Sequence, residues 1–438
     1  MAMKKTLALS LGLILLVALA TGCGVKGKPV PLSETLSTPL HTRIYKYGEW
    51  LIARGSVHNH TTFSDGCRKP EDLVQQARNE GIAVLAITDH REGKLCINEK
   101  ICVDSGGVES PKTGFEKYLK TLLELQSQSQ NPLIIPGMEV APYFWNERSP
   151  KPLLKGDSRH FTVYWITDPK VFEQMPVTRN ITTKPQPDPG PEPYNVFVNY
   201  IVDHGGMVFE AHPDWINPSD YGIAEARTDA PTMLAAQLPR LTGIAPIPDG
   251  IFSAGSPGGV WDVALMEYLA GYRQEPLWAW GEADFHCIDP KNPNNNLRIG
   301  TTLFYLKEYT LDQVYDAMKK GRMVALMGEL FQEVYVAEFS VGEKAVPGKV
   351  MLGEWVKLNA APVIRFALNQ QVELKEARLI RNGKVIYTGK SSNFEFTDTE
   401  AQKLGTPVYY RVQLIGEGPM ELSNATLLYT NPIFVSFK

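Results

Sequence analysis

The stretch VHNHTTFSDG, residues 57–66, sets two histidines one residue apart with an aspartate close behind them. It closes an apolar run, RGSVHNH, that reads as a β-strand. Residues two apart on a strand point to the same side, so His58 and His60 can present two imidazoles to one point, which is one edge of a metal site. Alone the pair decides little. Its weight comes from later apolar runs, whose ends carry the same residue types: Asp89 and His90 in LAITDH, Glu139 in IIPGMEV, His160 at the strand start of RHFTVYWI, His212 in MVFEAHP, and Asp284 and His286 in GEADFHC. Six of the eight histidines lie in these motifs; only His41 and His204 do not.

Short apolar runs alternate with helical stretches from about Tyr45 to Leu330: RGSVHNH, IAVLAITDH, PLIIPGMEV, HFTVYWI, GGMVFEAHP, DVALMEYLA and PLWAWGEADF. Between the first two, PEDLVQQARNEG has Pro70 and two acids in its first turn and Gly81 at its end, the start and stop signals of a helix. Such alternation argues for βα units and a parallel sheet or barrel, in which the C-terminal strand ends gather on one face and scattered positions become one cluster. Two stretches interrupt it: the proline-rich 177–194, and 217–250, a long insertion after a strand. Beyond Leu330 strands and turn signals take over, with Asn382-Gly383 suiting a type I′ hairpin turn. This part reads as a small C-terminal β-sandwich, residues 331–438, without histidine or cysteine.

At 438 residues two folded units are expected, and a net charge of −4 advertises no polyanion-binding surface, so no nucleic-acid partner is indicated. Residues 1–23 show a positive start, an apolar run too short for a spanning helix, and the ending Ala20-Thr21-Gly22-Cys23. That ending resembles the lipobox of bacterial lipoproteins, which implies lipidation at Cys23, a membrane anchor and an address on the periplasmic or extracellular side. Residues 24–44 read as a Pro-, Gly- and Ser-rich linker, and 45–330 as the main domain. In an exported protein disulfides persist, and Cys67, Cys96, Cys102 and Cys287 allow three pairings. Cys96 and Cys102 flank a short loop that they could close. Cys67 and Cys287 sit beside the two ends of the suspected site, where the fold could join them; free buried thiols are the alternative.

The series HNHTTFSDG, TDH, PGMEV, RHF, AHP and DFH resembles the PHP family, named for polymerases and histidinol phosphatases, across residues 54 to 330. The resemblance implies a distorted, TIM-like barrel of seven βα units binding two to three divalent ions, Zn, Mn or Fe, and most often cleaving phosphoesters. It implies that His58, His60, Glu139 and Asp284 hold one ion, that Glu139 bridges to a second with His160 and His212, and that Asp65, His90 and His286 hold a third. Glu139, Asp284 and His286 are the expected catalytic residues, with a metal-bridging hydroxide as the attacking group. Asp89 and Glu267 are expected to orient neighbouring histidines or, as acids at strand ends, to bond backbone, rather than to ligate. Arg68, Arg91, Arg159 and Arg298 lie beside the motifs or on following loops and are candidates for substrate binding, since a guanidinium matches a phosphate or carboxylate. Trp215, Trp261, Trp278, Trp280 and Phe285 could line a pocket or belong to the core.

The expected activity is therefore that of a metal-dependent phosphoesterase on a small molecule. The C-terminal ending TNPIFV resembles a branch of carbaryl-hydrolase-like metallohydrolases, which makes a carbamate or carboxyl ester hydrolase the second reading. A ligand-binding lipoprotein without catalysis is a third, of another class; missing ligands would mark it, and no motif lacks its ligand.

Overall fold

In the computed structural model the residues described are 44–97, 101–104, 106–146, 154–177, 180–181, 186–215, 219–220, 224–228, 233–287, 296–328, 333–418 and 425–438. Residues 1–23, expected to be a signal peptide ending at Cys23, and residues 24–43 of the expected linker lie outside them. Among the described residues, no helix is long and apolar enough to cross a membrane.

The fold is mixed α/β, organised on a sixteen-stranded sheet. Nine strands of its first part are β1 (Trp50–Ser56), β2 (Val84–Ile87), β3 (Leu133–Val140), β4 (Phe161–Tyr164), β5 (Met207–Glu210), β6 (Gly243–Ile247), β7 (Trp278–Gly281), β8 (Gly300–Leu306) and β9 (Met323–Met327). Their order across the sheet is β7-β6-β5-β4-β3-β2-β1-β8-β9. Strands β2 to β7 are buried along their whole length, which is why they read as continuous apolar runs rather than alternating ones. Helix α1 (Pro70–Asn79) follows its sequence signals: Pro70 opens it, Glu71 and Asp72 occupy the first turn, and Leu73, Val74 and Ala77 are buried.

The sheet is not wholly parallel. Strand β4 runs antiparallel to both neighbours, pairing Phe161 with Val140 of β3 and with Glu210 of β5. The reversal places the start of β4, and so His160, beside the C-terminal ends of β3 and β5. This explains why one motif histidine precedes its strand while the others follow theirs.

Two readings of the apolar runs change. VALMEYL is not a strand but most of helix α2 (Val260–Leu269), with Val260, Trp261, Asp262, Ala264 and Leu265 buried. A short apolar run gives no periodicity by which a buried helix and a buried strand can be told apart. The strand sits instead at β6, within residues 217–250, and its GIAPI sequence hides it: Pro246 falls where the pairing to β7 shifts register, a place where a strand tolerates proline.

The two ends of the seven-strand run meet at β8. Strand β1 pairs antiparallel with β8, while Gly281 N at the end of β7 donates to Thr302 Oγ1 at 3.0 Å and Gly281 O accepts from the same hydroxyl at 2.8 Å. A Cβ at Gly281 would collide with Thr301 O, so only glycine permits this approach.

The sheet continues into the C-terminal part. Its strands are β10 (Val336–Gly342), β11 (Trp355–Leu358), β12 (Val363–Leu368), β13 (Glu376–Arg381), β14 (Lys384–Gly389), β15 (Asn393–Thr397), β16 (Val408–Gly416), β17 (Ala425–Thr430) and β18 (Ile433–Phe437). Strand β17 pairs with β9 and carries β16, β13 and β14 onto the large sheet, whereas β10, β12 and β15 form a separate three-stranded sheet. In the β13–β14 turn Asn382 and Gly383 both have positive φ, 48° and 75°, as a type I′ turn requires. Just past β17, Asn431 accepts from Ala279 N and donates to Ala279 O, satisfying the backbone of β7.

A buried ion pair ties the two parts together. Asp262 of α2 accepts 2.6 Å bonds from Arg411 Nε and Nη2 and from the Tyr409 hydroxyl, with both charged side chains fully buried. The Arg411 guanidinium also lies 4.6 Å from the Trp261 ring centre. Removing one partner strands the other charge without water, so Asp262→Ala should lower unfolding free energy by about 3–5 kcal/mol in chemical denaturation.

Candidate metal centre

The ligand-bearing loop begins where β1 ends. His58 is outside the strand, with φ of 67°, so His58 and His60 converge through a left-handed residue and not through strand alternation. Asn59 between them turns the other way: its side-chain amide donates to Ser56 O and Ala86 O, and its backbone N donates to Thr88 Oγ1. The rest of the loop is held by Asp89, which accepts from Thr61 N, Thr61 Oγ1, Ser64 N and Ser64 Oγ at 2.7–3.0 Å. Ser64 Oγ in turn lies 3.3 Å from His60 Nδ1. Asp89 thus fixes the loop and reaches His60 through one hydroxyl, the orienting task expected of it. Gly66 closes the loop so tightly that a Cβ there would strike the His60 carbonyl.

Glu139, at the end of β3 and 1 % exposed, stands at the centre. Its Oε1 lies 2.7 Å from His160 Nδ1 and 3.1 Å from His212 Nε2. Its Oε2 lies 3.3 Å from His58 Nε2, 3.3 Å from His60 Nε2 and 2.8 Å from His90 Nδ1. Asp284 Oδ1 faces the first pair from the other side, 3.2 Å from each Nε2. Asp65 lies 3.3 Å from His286 Nε2 and 3.6 Å from His90 Nε2.

All nine expected ligands come together, in three groups whose donor atoms lie within 4.8 Å of one another: His58, His60, Glu139 and Asp284; Glu139, His160 and His212; and His60, Asp65, His90 and His286. His58 Nε2, His60 Nε2, both Asp65 oxygens, Glu139 Oε2 and Asp284 Oδ1 are buried without a hydrogen-bond partner. Buried donors and acceptors are normally satisfied, and this set, aimed inward and mixing imidazole with carboxylate, fits divalent cations. Three of the nine expected ligands, His58, His212 and Asp284, have positive φ, strain of the kind that persists where a site demands it.

The Cys67–Cys287 disulfide, with Cα atoms 5.3 Å apart, links the segments that carry Asp65 and His286, and Cys67 N donates to His286 O at 3.0 Å. Cys96 and Cys102 are register partners in the hairpin Lys94–Ile97/Ile101–Asp104, and their side chains lie outside the described set.

The four arginines are all buried and engaged within the protein: Arg68 with Gln76, Arg91 with Glu109, Arg159 with Glu210 at 3.9 Å, and Arg298 with Glu80. Glu267 is on α2 and belongs to none of the three groups, because its segment is helical and not the strand end expected of it. Trp261, Trp278, Trp280 and Phe285 belong to the core, whereas Trp215 packs its ring 5.1 Å from His212 and 6.0 Å from His160. Glu282 was missed in sequence. It is 1 % exposed and contacts both His58 and His212, and its only signal was an acid at the end of β7 two residues before Asp284.

With this geometry in view, comparison with known proteins adds one family. Residues 56–166 match the PHP domain model. That span contains His58, His60, Asp65, His90, Glu139 and His160; the structure adds His212, Asp284 and His286 from outside it. Among solved structures, the chain is similar to a two-domain protein containing predicted PHP-like metal-dependent phosphoesterase from Bacteroides vulgatus, at 14% identity and TM-score 0.42, covering 91% of this chain and 99% of that one. It is also similar to an amidohydrolase from Chromobacterium violaceum with bound sulfate and no metal, at 16% identity and TM-score 0.26, covering 53% and 87%. Likenesses this distant carry no weight for the site, which stands on its own geometry. No curated protein matches the chain.

Without ions, the groups neutralise one another. Burial would lower His286, but the Asp284 and Asp65 carboxylates outweigh it and raise the imidazole to about 9. Burial would raise Glu139 and Asp284, yet His90 and His58 respectively lead the imidazoles that hold them well below the usual carboxylate range. A raised His pKa stabilises the fold fully below its ordinary value of 6.5 and is lost as pH rises through the folded value. Metal-free protein should therefore lose stability between about pH 6.5 and 9, read as a falling urea midpoint. Metal-loaded protein should not, because metal binding strengthens as its ligands deprotonate.

Proposed function

We propose that this protein is a metal-dependent hydrolase, and specifically a phosphoesterase acting on a small molecule. The observation that carries this reading is the division of the Glu139 carboxylate, one oxygen toward His58, His60 and His90 and the other toward His160 and His212. A carboxylate so placed suits two cations side by side. Divalent ions held there would polarise a substrate oxygen, activate water and offset developing negative charge.

What the chain itself contributes follows from burial. The imidazoles of His58, His60, His160 and His212 are closed off from solvent, while Asp284 and His286 are 31% and 27% exposed. Substrate therefore approaches on the Asp284–His286 side. Trp215 forms an apolar wall beside His212. Arg91 and Arg159, next to His90 and His160, are our candidates for anchoring the substrate's anionic group, which would compete with their contacts to Glu109 and Glu210.

The same reading takes residues 45–330 as a seven-stranded PHP-type barrel and 331–438 as a β-sandwich joined to it through the β9–β17 pairing. It takes residues 1–23 as an export signal ending in lipidated Cys23. The Cys67–Cys287 disulfide supports an extracytoplasmic address, since such bonds persist in oxidising compartments. Zn, Mn and Fe all suit the donor set.

Elemental analysis of protein lacking residues 1–23 should return two to three equivalents of divalent metal. His58→Ala and Asp284→Ala should each lower turnover by about 100-fold or more with the circular dichroism unchanged. In a panel of chromogenic phosphomonoesters, phosphodiesters, carboxyl esters and carbamates, phosphoesters should be preferred; turnover of carbamates alone would replace the phosphoesterase reading with the carbamate one.

A further inference from the structure

Glu282 is the buried acid nearest the metal ligands that the expected ligand set leaves without a role. It follows β7 directly, and its backbone is fixed: Glu282 N donates to Ile247 O, and Ala283 N donates to Val57 O. The side chain, 1 % exposed, faces the centre. One oxygen, Oε1, accepts from the backbone N of His212 at 2.6 Å. The other, Oε2, lies 3.1 Å from His58 Nδ1.

Those two partners belong to different groups, His58 to the one with His60 and Asp284, and His212 to the one with His160. Both also have a left-handed backbone, φ 67° and 29°, which is costly for any residue bearing a side chain. A carboxylate only accepts hydrogen bonds. With Oε2 against Nδ1, the neutral His58 ring must carry its proton on Nδ1, leaving the Nε2 lone pair aimed between Glu139 Oε2 at 3.3 Å and Asp284 Oδ1 at 3.2 Å. With Oε1 on the His212 amide, the same side chain holds the backbone that presents His212 Nε2 to Glu139 Oε1.

We propose that Glu282 is a positioning residue for both groups at once: it sets the His58 tautomer that can ligate through Nε2 and pins the strained backbone of His212. The proposal rests on the metal reading of the site. Its chemistry is specific to glutamate. Glutamine offers one acceptor and one donor, so if its oxygen keeps the short bond to His212, its NH₂ group faces His58 Nδ1. Nδ1 must then accept, the proton moves to Nε2, and the ligand is lost. Aspartate keeps the charge but is one methylene too short to span both partners.

The test is zinc affinity, measured by calorimetric titration of the full chain lacking residues 1–23, for four forms: wild type, Glu282→Gln, His58→Ala, and the double variant. Glu282→Gln should weaken binding by about 10–100-fold. In the His58→Ala background the same substitution should cost much less, because the tautomer it disturbs is gone. Glu282→Asp should weaken zinc as Glu282→Gln does, and it supplies the comparison if the glutamine variant does not fold. Wild-type affinity in either variant, or an equal loss in both backgrounds, overturns the proposal. Failure of the wild type to take up zinc, manganese or iron would instead overturn the metal reading on which it rests.

Discussion

The carboxylate of Glu139 is buried among five imidazoles, and most of the architecture around it serves to make that arrangement possible. A carboxylate in a dry interior is costly unless opposite charge surrounds it. The sheet meets that demand from several strand ends at once: the loop after β1 brings His58 and His60, β2 brings His90, and β5 brings His212. Only the reversal of β4 lets His160 reach Glu139 from the same end. Buried, unpartnered ligand atoms are the remainder, and cations are the natural way to satisfy them.

Holding that constellation takes support from further out. Left-handed backbone at His58 and His212 is braced by neighbours: Asn59 anchored on β2, Asp89 gathering the 61–66 loop, and Glu282 on His212. The Cys67–Cys287 disulfide fixes the more solvent-accessible rim of the site, across 220 residues of chain. At the opposite scale, the Asp262–Arg411 pair and Asn431 bind the C-terminal strands to α2 and β7. The C-terminal part thereby stiffens the strand from which Glu282, Asp284 and His286 emerge.

Much of this was legible in the sequence, and the reasons for the rest are physical. Strand-end histidines and acids could be read because each motif joins an apolar run to a ligand-type residue, and all nine expected ligands converge. The helix α1 and the Asn382-Gly383 turn were legible because their signals are local. Strand direction was not: HFTVYWI has the same pattern whether β4 runs parallel or antiparallel, and only long-range pairing decides it. VALMEYL and GIAPI were exchanged because a short apolar run shows no period and because Pro246 resembles a loop signal. Glu282 was passed over because a supporting acid has no motif of its own; its role exists only in its contacts with residues 224 and 70 positions away.

In the proposed site Glu139 lies between two cation positions, with a third bounded by His60, Asp65, His90 and His286. Anomalous difference maps from crystals grown with zinc or manganese test it most directly. Peaks on both sides of the Glu139 carboxylate, one toward His58 and His60 and one toward His160 and His212, are the expected result. Full metal loading with no peak beside Glu139, or with peaks elsewhere in the chain, would contradict it.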